Sequence, residues 1–145
     1  VYDILRLRGE VFVVEQACIY LDPDGLDLLA WHWIYREKGQ LLAHQRCLPP
    51  GSSYQESSIG RVVVAASARG RDLGRELVER GIAFNFQQWP QAAIRIGAQA
   101  HLQPLYESLY FQPCSEVYLE DGIAHIEMRL ERPGKRSAAS STARE

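Results

Sequence analysis

Apolar residues recur along the chain at two spacings, helical and alternating, and their succession lays out a set of elements. In residues 1–12, Ile4, Leu5 and Val11 stand at mixed helical spacing with Arg6, Arg8 and Glu10 between them, which predicts an opening helix. A less regular stretch follows and ends in Asp22-Pro23-Asp24-Gly25, a turn because proline presets φ and glycine supplies positive φ. Residues 28–35 and 41–48 read as strands, and the short polar link Arg36-Glu37-Lys38-Gly39-Gln40 predicts a hairpin. Pro49-Pro50-Gly51 stops the second strand. Residues 59–66 hold Val62-Val63-Val64, whose β-branched side chains favour a buried pleated surface. A polar turn at 67–74 then leads into a long amphipathic helix, with Leu73, Leu77, Val78, Ile82 and Phe84 near helical spacing. Trp89-Pro90 breaks that helix, since the residue before proline is biased away from helix. A short strand at 94–98, a second amphipathic helix at 102–109 and strands at 111–119 and 124–130 complete the order. In the last strand Ala124, Ile126, Met128 and Leu130 share one face, and His125, Glu127 and Arg129 the other. This order implies an α/β (α+β) fold with a mixed sheet and helices on its faces.

Composition narrows the class. At 145 residues the chain can bury a core without a disulfide or metal staple. We expect one domain over 1–131 and a flexible Ser/Ala-rich tail over 132–145 that buries too little apolar area to offset chain entropy. A net charge of −2 argues against a general nucleic-acid or membrane-surface binder. Cys18, Cys47 and Cys114 are far apart and form no CxxC, so neither a disulfide framework nor a metal site is expected. No stretch is apolar for the length of a membrane span, which makes a cytoplasmic location the expectation. The chain begins at Val1 and its one methionine is Met128, so we expect upstream residues.

The turn after the valine strand carries candidate chemistry. A buried strand feeding a helix N-terminus aims free backbone N–H groups at one spot, which suits phosphate. Around Arg69-Gly70-Arg71-Asp72-Leu73-Gly74, the side chains of Arg69, Arg71 or Arg75 would add charge. An ordinary polar strand-to-helix turn, with Asp72 favourable to the helix dipole, explains the same residues. Trp31, Trp33, Tyr35 and Phe12 would line a pocket or, by default, pack on the sheet.

The turn resembles the phosphate-binding motif of the GNAT N-acetyltransferases, an R/Q-x-x-G-x-G/A turn after a central strand. Residues 100–111, AHLQPLYESLYF, resemble the family's second signature, a tyrosine in a helix followed by Gly-Phe. The match is sharpest to the ElaA-like branch. Leu5-Arg6-Leu7-Arg8, Val11-Phe12-Val13-Val14-Glu15-Gln16, Leu21-Asp22 and Asp24-Gly25 resemble its opening. Ile96-Gly97-Ala98-Gln99-Ala100, Tyr118-Leu119-Glu120-Asp121-Gly122-Ile123 and His125-Ile126-Glu127-Met128 resemble its close.

The resemblance implies a GNAT-like, mostly antiparallel sheet whose two central strands splay, with its usual first strand lying before Val1. It implies transfer of acetyl from acetyl-CoA to an amine-bearing small molecule or peptide by direct attack in a ternary complex, without a metal. Val62, Val63 and Val64 would meet the pantetheine arm, Arg69, Gly70, Arg71, Asp72, Leu73, Gly74 and Arg75 the pyrophosphate, and Tyr106 would protonate the departing thiolate. Without the resemblance, Tyr106 reads equally as a core aromatic. An alkylammonium must also lose a proton before it can attack. Glu15, His32, His101, Glu120, Asp121 and His125 are candidates to take it, and Glu120, Asp121 and His125 would receive the cationic acceptor. Asp72 and Tyr110 stand where the family has glycine, and Asp72 is expected to weaken CoA binding. A non-catalytic acyl-CoA-binding domain or a protein-interaction module remain alternatives. Oligomeric state is open, a homodimer included.

Overall fold

The computed structural model describes residues 1–17 and 22–133; Cys18, Leu21 and the tail from residue 134 lie outside the described residues. Among these described residues seven strands make two sheets. β1 (Trp31–Glu37), β2 (Gln40–Leu48) and β3 (Ser58–Val64) run antiparallel in that order. β4 (Ile94–Gln99), β5 (Gln112–Pro113) and β6 (Tyr118–Glu120) each pair antiparallel with β7 (Ile123–Leu130). One parallel bridge, Ser57 to Ile94, joins the sheets into a mixed, mostly antiparallel whole. Helix α2 (Leu73–Gln88) and the short α3 (Gln103–Ser108) cover one face. Their core includes Ile59, Val78, Ile94, Ile96, Tyr106, Phe111 and Met128. Helix α1 (Tyr2–Arg8) covers the opposite face through Leu7, and a π-helical stretch (Gly9–Glu15) continues it with Val11 packed near Val63. Among the described residues no helix is long and apolar enough to cross a membrane.

The differences from the expected boundaries have physical causes. β1 begins three residues late because Asp27–Leu29 wind into a 3-10 turn, where Arg8 and Arg46 hold the Asp27 carboxylate. The strand expected over 111–119 is two short strands. Pro113 has no N–H to continue a ladder, and Ser115 Oγ accepts a hydrogen bond from the Glu127 N–H instead.

β3 changes face part-way along. Ile59 lies opposite Cys47 in the α2 core, whereas Val63 lies opposite His44 on the α1 side. Two residues of the same parity reach opposite faces because the register slips between them, with Arg61 at φ 48°. An extra residue in one strand bends it and increases its twist.

Candidate active site

The Ser57 backbone stitches the two sheets together at one point. Its N–H donates to the Ala93 carbonyl (3.0 Å), and its own carbonyl accepts from the Arg95 N–H (2.8 Å). Asn85, buried in α2, ties the helix to this vertex through Ser57 Oγ (3.2 Å) and the Ser58 carbonyl (3.1 Å). Beyond it, among the described residues, β3, bent by its bulge, pairs only with β2, and β4 only with β7, so the facing edges open a cleft of about 900 Å³. That volume suits a cofactor-sized ligand. Val62, Val63 and Val64 form one wall, and Ile96, Gly97 and Gln99 contribute to the other.

Tyr106 reaches the cleft from α3. Its ring is 6 % exposed and packs edge-on against Phe111, and its hydroxyl makes no hydrogen bond among the described residues. Burial pushes the phenol up to about 12, so it is protonated throughout the neutral range. A buried core tyrosine normally finds a hydrogen-bond partner, and this one has none among the described residues.

The turn divides. Arg69 and Gly74 line the cleft, whereas Gly70, Arg71, Asp72, Leu73 and Arg75 lie outside its lining. Arg69 grips Glu15 through two hydrogen bonds (2.6 and 2.9 Å) and donates to the Val64 carbonyl as well. The guanidinium holds the Glu15 carboxyl below the usual range. Arg71 turns away to Glu37 and Tyr35, and Arg75 bonds Ser108 Oγ (2.8 Å). Asp72 sits at φ 57° before α2 and its carboxylate caps nothing, so the first N–H groups of α2 have no partner from it. Those groups carry the positive end of the helix dipole.

On the sheet face opposite α2 and α3, register brings other groups together. His125 lies across from Gln99 and from Tyr118, and its ring stacks on Tyr118. His125 Nδ1 donates to the Ile123 carbonyl (2.7 Å), and Nε2 stands 3.6 Å from the Glu120 carboxylate. Glu120, Asp121 and His125 all line the cleft. So do Glu15 and His101; His32 lies instead on β1, its ring bonded to His44 of β2. Phe12 reaches the cleft, while Trp31 and Trp33 join Phe84 in an aromatic cluster elsewhere.

Sequence reading missed Tyr54, Gln16 and Gln99 in the lining. Gln16 and Gln99 face each other in a reciprocal amide pair at 3.3 Å. The signal for Gly97 was present, since a glycine inside a strand pattern marks a close approach. A Cβ there would meet the Tyr54 and Tyr118 hydroxyls at 3.1 and 3.2 Å. Tyr54 belongs to a polar loop with no periodicity to single it out.

Residues 30–132 match the family model described as an acetyltransferase (GNAT) domain. ElaA of Escherichia coli is 42 % identical over 132 residues, covering 90 % of this chain and 86 % of that protein. Its crystal structure superposes with a TM-score of 0.83 over 90 % of this chain and 88 % of that one. An acyl-CoA N-acyltransferase from Pseudomonas aeruginosa is 46 % identical with a TM-score of 0.84, over 89 % and 88 % of the two chains. An aminoglycoside 6'-N-acetyltransferase solved with coenzyme A shares the fold alone, at 13 % identity and a TM-score of 0.65 over 87 % and 88 %.

Proposed function

The chain belongs to the GNAT acetyltransferase family, and we propose that it transfers acetyl from acetyl-CoA to a primary amine by direct attack within a ternary complex. The observation that carries this reading is the forked sheet: one edge of β3, unpaired among the described residues, faces a cleft that Tyr106 also lines.

The pantetheine arm lies along Val62, Val63 and Val64, exchanging hydrogen bonds with the strand edge as an added strand would. The pyrophosphate meets the uncapped first turn of α2 beside Gly70, Arg71, Asp72, Leu73, Gly74 and Arg75, with Arg69 at the mouth. The amine nitrogen attacks the thioester carbonyl carbon, and a backbone N–H of β3 steadies the oxyanion. Collapse breaks the C–S bond, and the thiolate takes the Tyr106 proton. A phenol held near 12 is protonated at neutral pH, the form an acid must have. Glu120, Asp121 and His125 line the side from which a cationic acceptor arrives.

Calorimetry with CoA tests the donor assignment, and absence of binding at millimolar ligand would remove it. Tyr106→Phe keeps the packing against Phe111 and removes the donor. Thiol release from acetyl-CoA should fall by about 100-fold with CoA affinity retained. Release at the wild-type rate would remove the acid role.

A further inference from the structure

His125 is 8 % exposed, yet one ring nitrogen has no hydrogen-bond partner among the described residues. The Ile123 carbonyl can only accept, so Nδ1 must carry the hydrogen of the 2.7 Å bond. In the neutral ring, Nε2 is then a bare lone pair lining the cleft. On the cleft wall that lone pair is free to take a hydrogen from a donor bound there. Stacking on Tyr118 and the Ile123 bond together fix the ring's orientation and tautomer.

The surroundings fit an amine. Gly97 leaves room for the Tyr54 and Tyr118 hydroxyls to converge on one point of β4. Register places Tyr118 directly across from His125, and Gln99 across from it on the other side. Both tyrosines are held above the ordinary phenol value, chiefly by burial, so their hydroxyls stay neutral and offer lone pairs. The Glu120 carboxylate, 60 % exposed and 3.6 Å from Nε2, can pair with the imidazolium and leads out to water. These groups sit on the sheet face opposite Tyr106, so acid and base approach the fork from opposite sides.

Resting on the acetyl-transfer reading, we infer that His125 is the general base, and that Tyr54 and Tyr118 form the seat of a cationic primary amine. Of the three hydrogens on the ammonium, one leaves through His125 Nε2 to solvent past Glu120. The freed nitrogen forms the C–N bond. A second hydrogen, shed as the tetrahedral adduct collapses, replaces the one Tyr106 gave to sulfur, and the third remains on the amide.

The test pairs two acceptors at neutral pH: an alkylamine, which arrives protonated, and an alkoxyamine, which arrives neutral. His125→Gln and His125→Asn keep a polar side chain but cannot take the proton. With the alkylamine, kcat/KM should fall by about 100-fold in both, and added imidazole should restore part of it. With the alkoxyamine, both variants should stay within about threefold of wild type. Unchanged calorimetric affinity for CoA identifies a folded variant. Equal losses with both acceptors, or no loss with either, would overturn the base assignment while leaving acetyl transfer intact. Absence of thiol release from wild type with every amine would instead remove the acetyl-transfer reading and this one with it.

Discussion

Asp72 and Tyr110 occupy the left-handed region, at φ 57° and 74°. Both positions hold glycine in the family the sequence resembles, and glycine takes this conformation without a Cβ clash. Aspartate tolerates it better than most residues. The more consequential property of Asp72 is therefore its charge, which lies beside the uncapped N-terminus of α2 where an anion would bind. At water-like screening, two unit charges about 4 Å apart repel by about 1 kcal/mol. Asp72→Gly and Asp72→Asn should each tighten CoA binding about fivefold by calorimetry, because both remove the charge. An improvement confined to glycine would make the backbone the cause, and none in either would mean the carboxylate points clear of the ligand. At this scale a motif or a chemical need singled out Tyr106, His125 and Glu120 as candidates, and all three line the cleft. Sequence reading could not reach Tyr54, whose place depends on where a 49–57 loop returns to the sheet, nor the unsatisfied nitrogen of His125, which depends on the Ile123 carbonyl.

Helix α2 shows how an element can be legible while its fit is not. Spacing and the Trp89-Pro90 break predicted it almost to its ends, because both signals are local. Gly81 carries no such signal. Helix propensity alone favours alanine there by about 1 kcal/mol. Yet Gly81 is where α2 meets β2: a Cβ would overlap the Gln45 amide nitrogen and lie 3.1 Å from Ile59 Cδ1. Gln45 cannot swing aside, since it is fully buried and bonded to the Leu77 carbonyl at 2.5 Å. Gly81→Ala should therefore cost about 1–2 kcal/mol in urea denaturation, overpacking outweighing propensity. A gain in stability would show that helix and strand separate more easily than this contact implies. Strand edges were less legible for a similar reason. Where β1 starts depends on Arg8 and Arg46 capturing Asp27, and the bulge in β3 depends on pairing with β2, both contacts between distant parts of the chain.

Across the molecule, the α1 side of the first sheet is held by buried charge. Arg8, wholly buried, pairs with Asp22 and Asp27; Arg46 pairs with Asp24 and Asp27; and Arg61, in the bulge, pairs with Asp22 and Asp24. The Asp-Pro-Asp-Gly turn, which the sequence presented as a simple reversal, is thus half of an ion network that ties α1, β2 and β3 to one loop. Two histidines adjoin it. His44 Nδ1 faces the Arg61 carbonyl and His32 Nε2 the Asp27 carbonyl, while their other nitrogens meet at 2.9 Å. Both outer nitrogens must donate to carbonyls, so a single further proton between the rings completes the chain and another has no acceptor to meet. Burial first, then the charges of Arg8 and His32, push His44 down to about 3, against the opposing pull of the Arg61 carbonyl and Asp27. The sign follows from linkage. Below about pH 6.5 the unfolded chain binds a proton on His44 that the folded chain refuses, so stability falls as pH falls. Asp24 and Asp27 are held below the usual carboxylate range, Asp24 chiefly by the Arg46 hydrogen bond and Asp27 by Arg8 and Arg46 against the cost of burial. Their stabilising contribution is lost in the same direction, but only below about pH 4. Between pH 6.5 and 4.5, His44 should therefore account for about 2 kcal/mol of lost stability, measured by urea denaturation at stepped pH. His44→Gln should be less stable at neutral pH, having lost the ring's bonds to Arg61 and His32, but its stability should decline less steeply across that window. Parallel slopes in the two proteins would mean that His44 accepts its proton in the folded state, and that the chain from Asp27 to Arg61 opens to admit it.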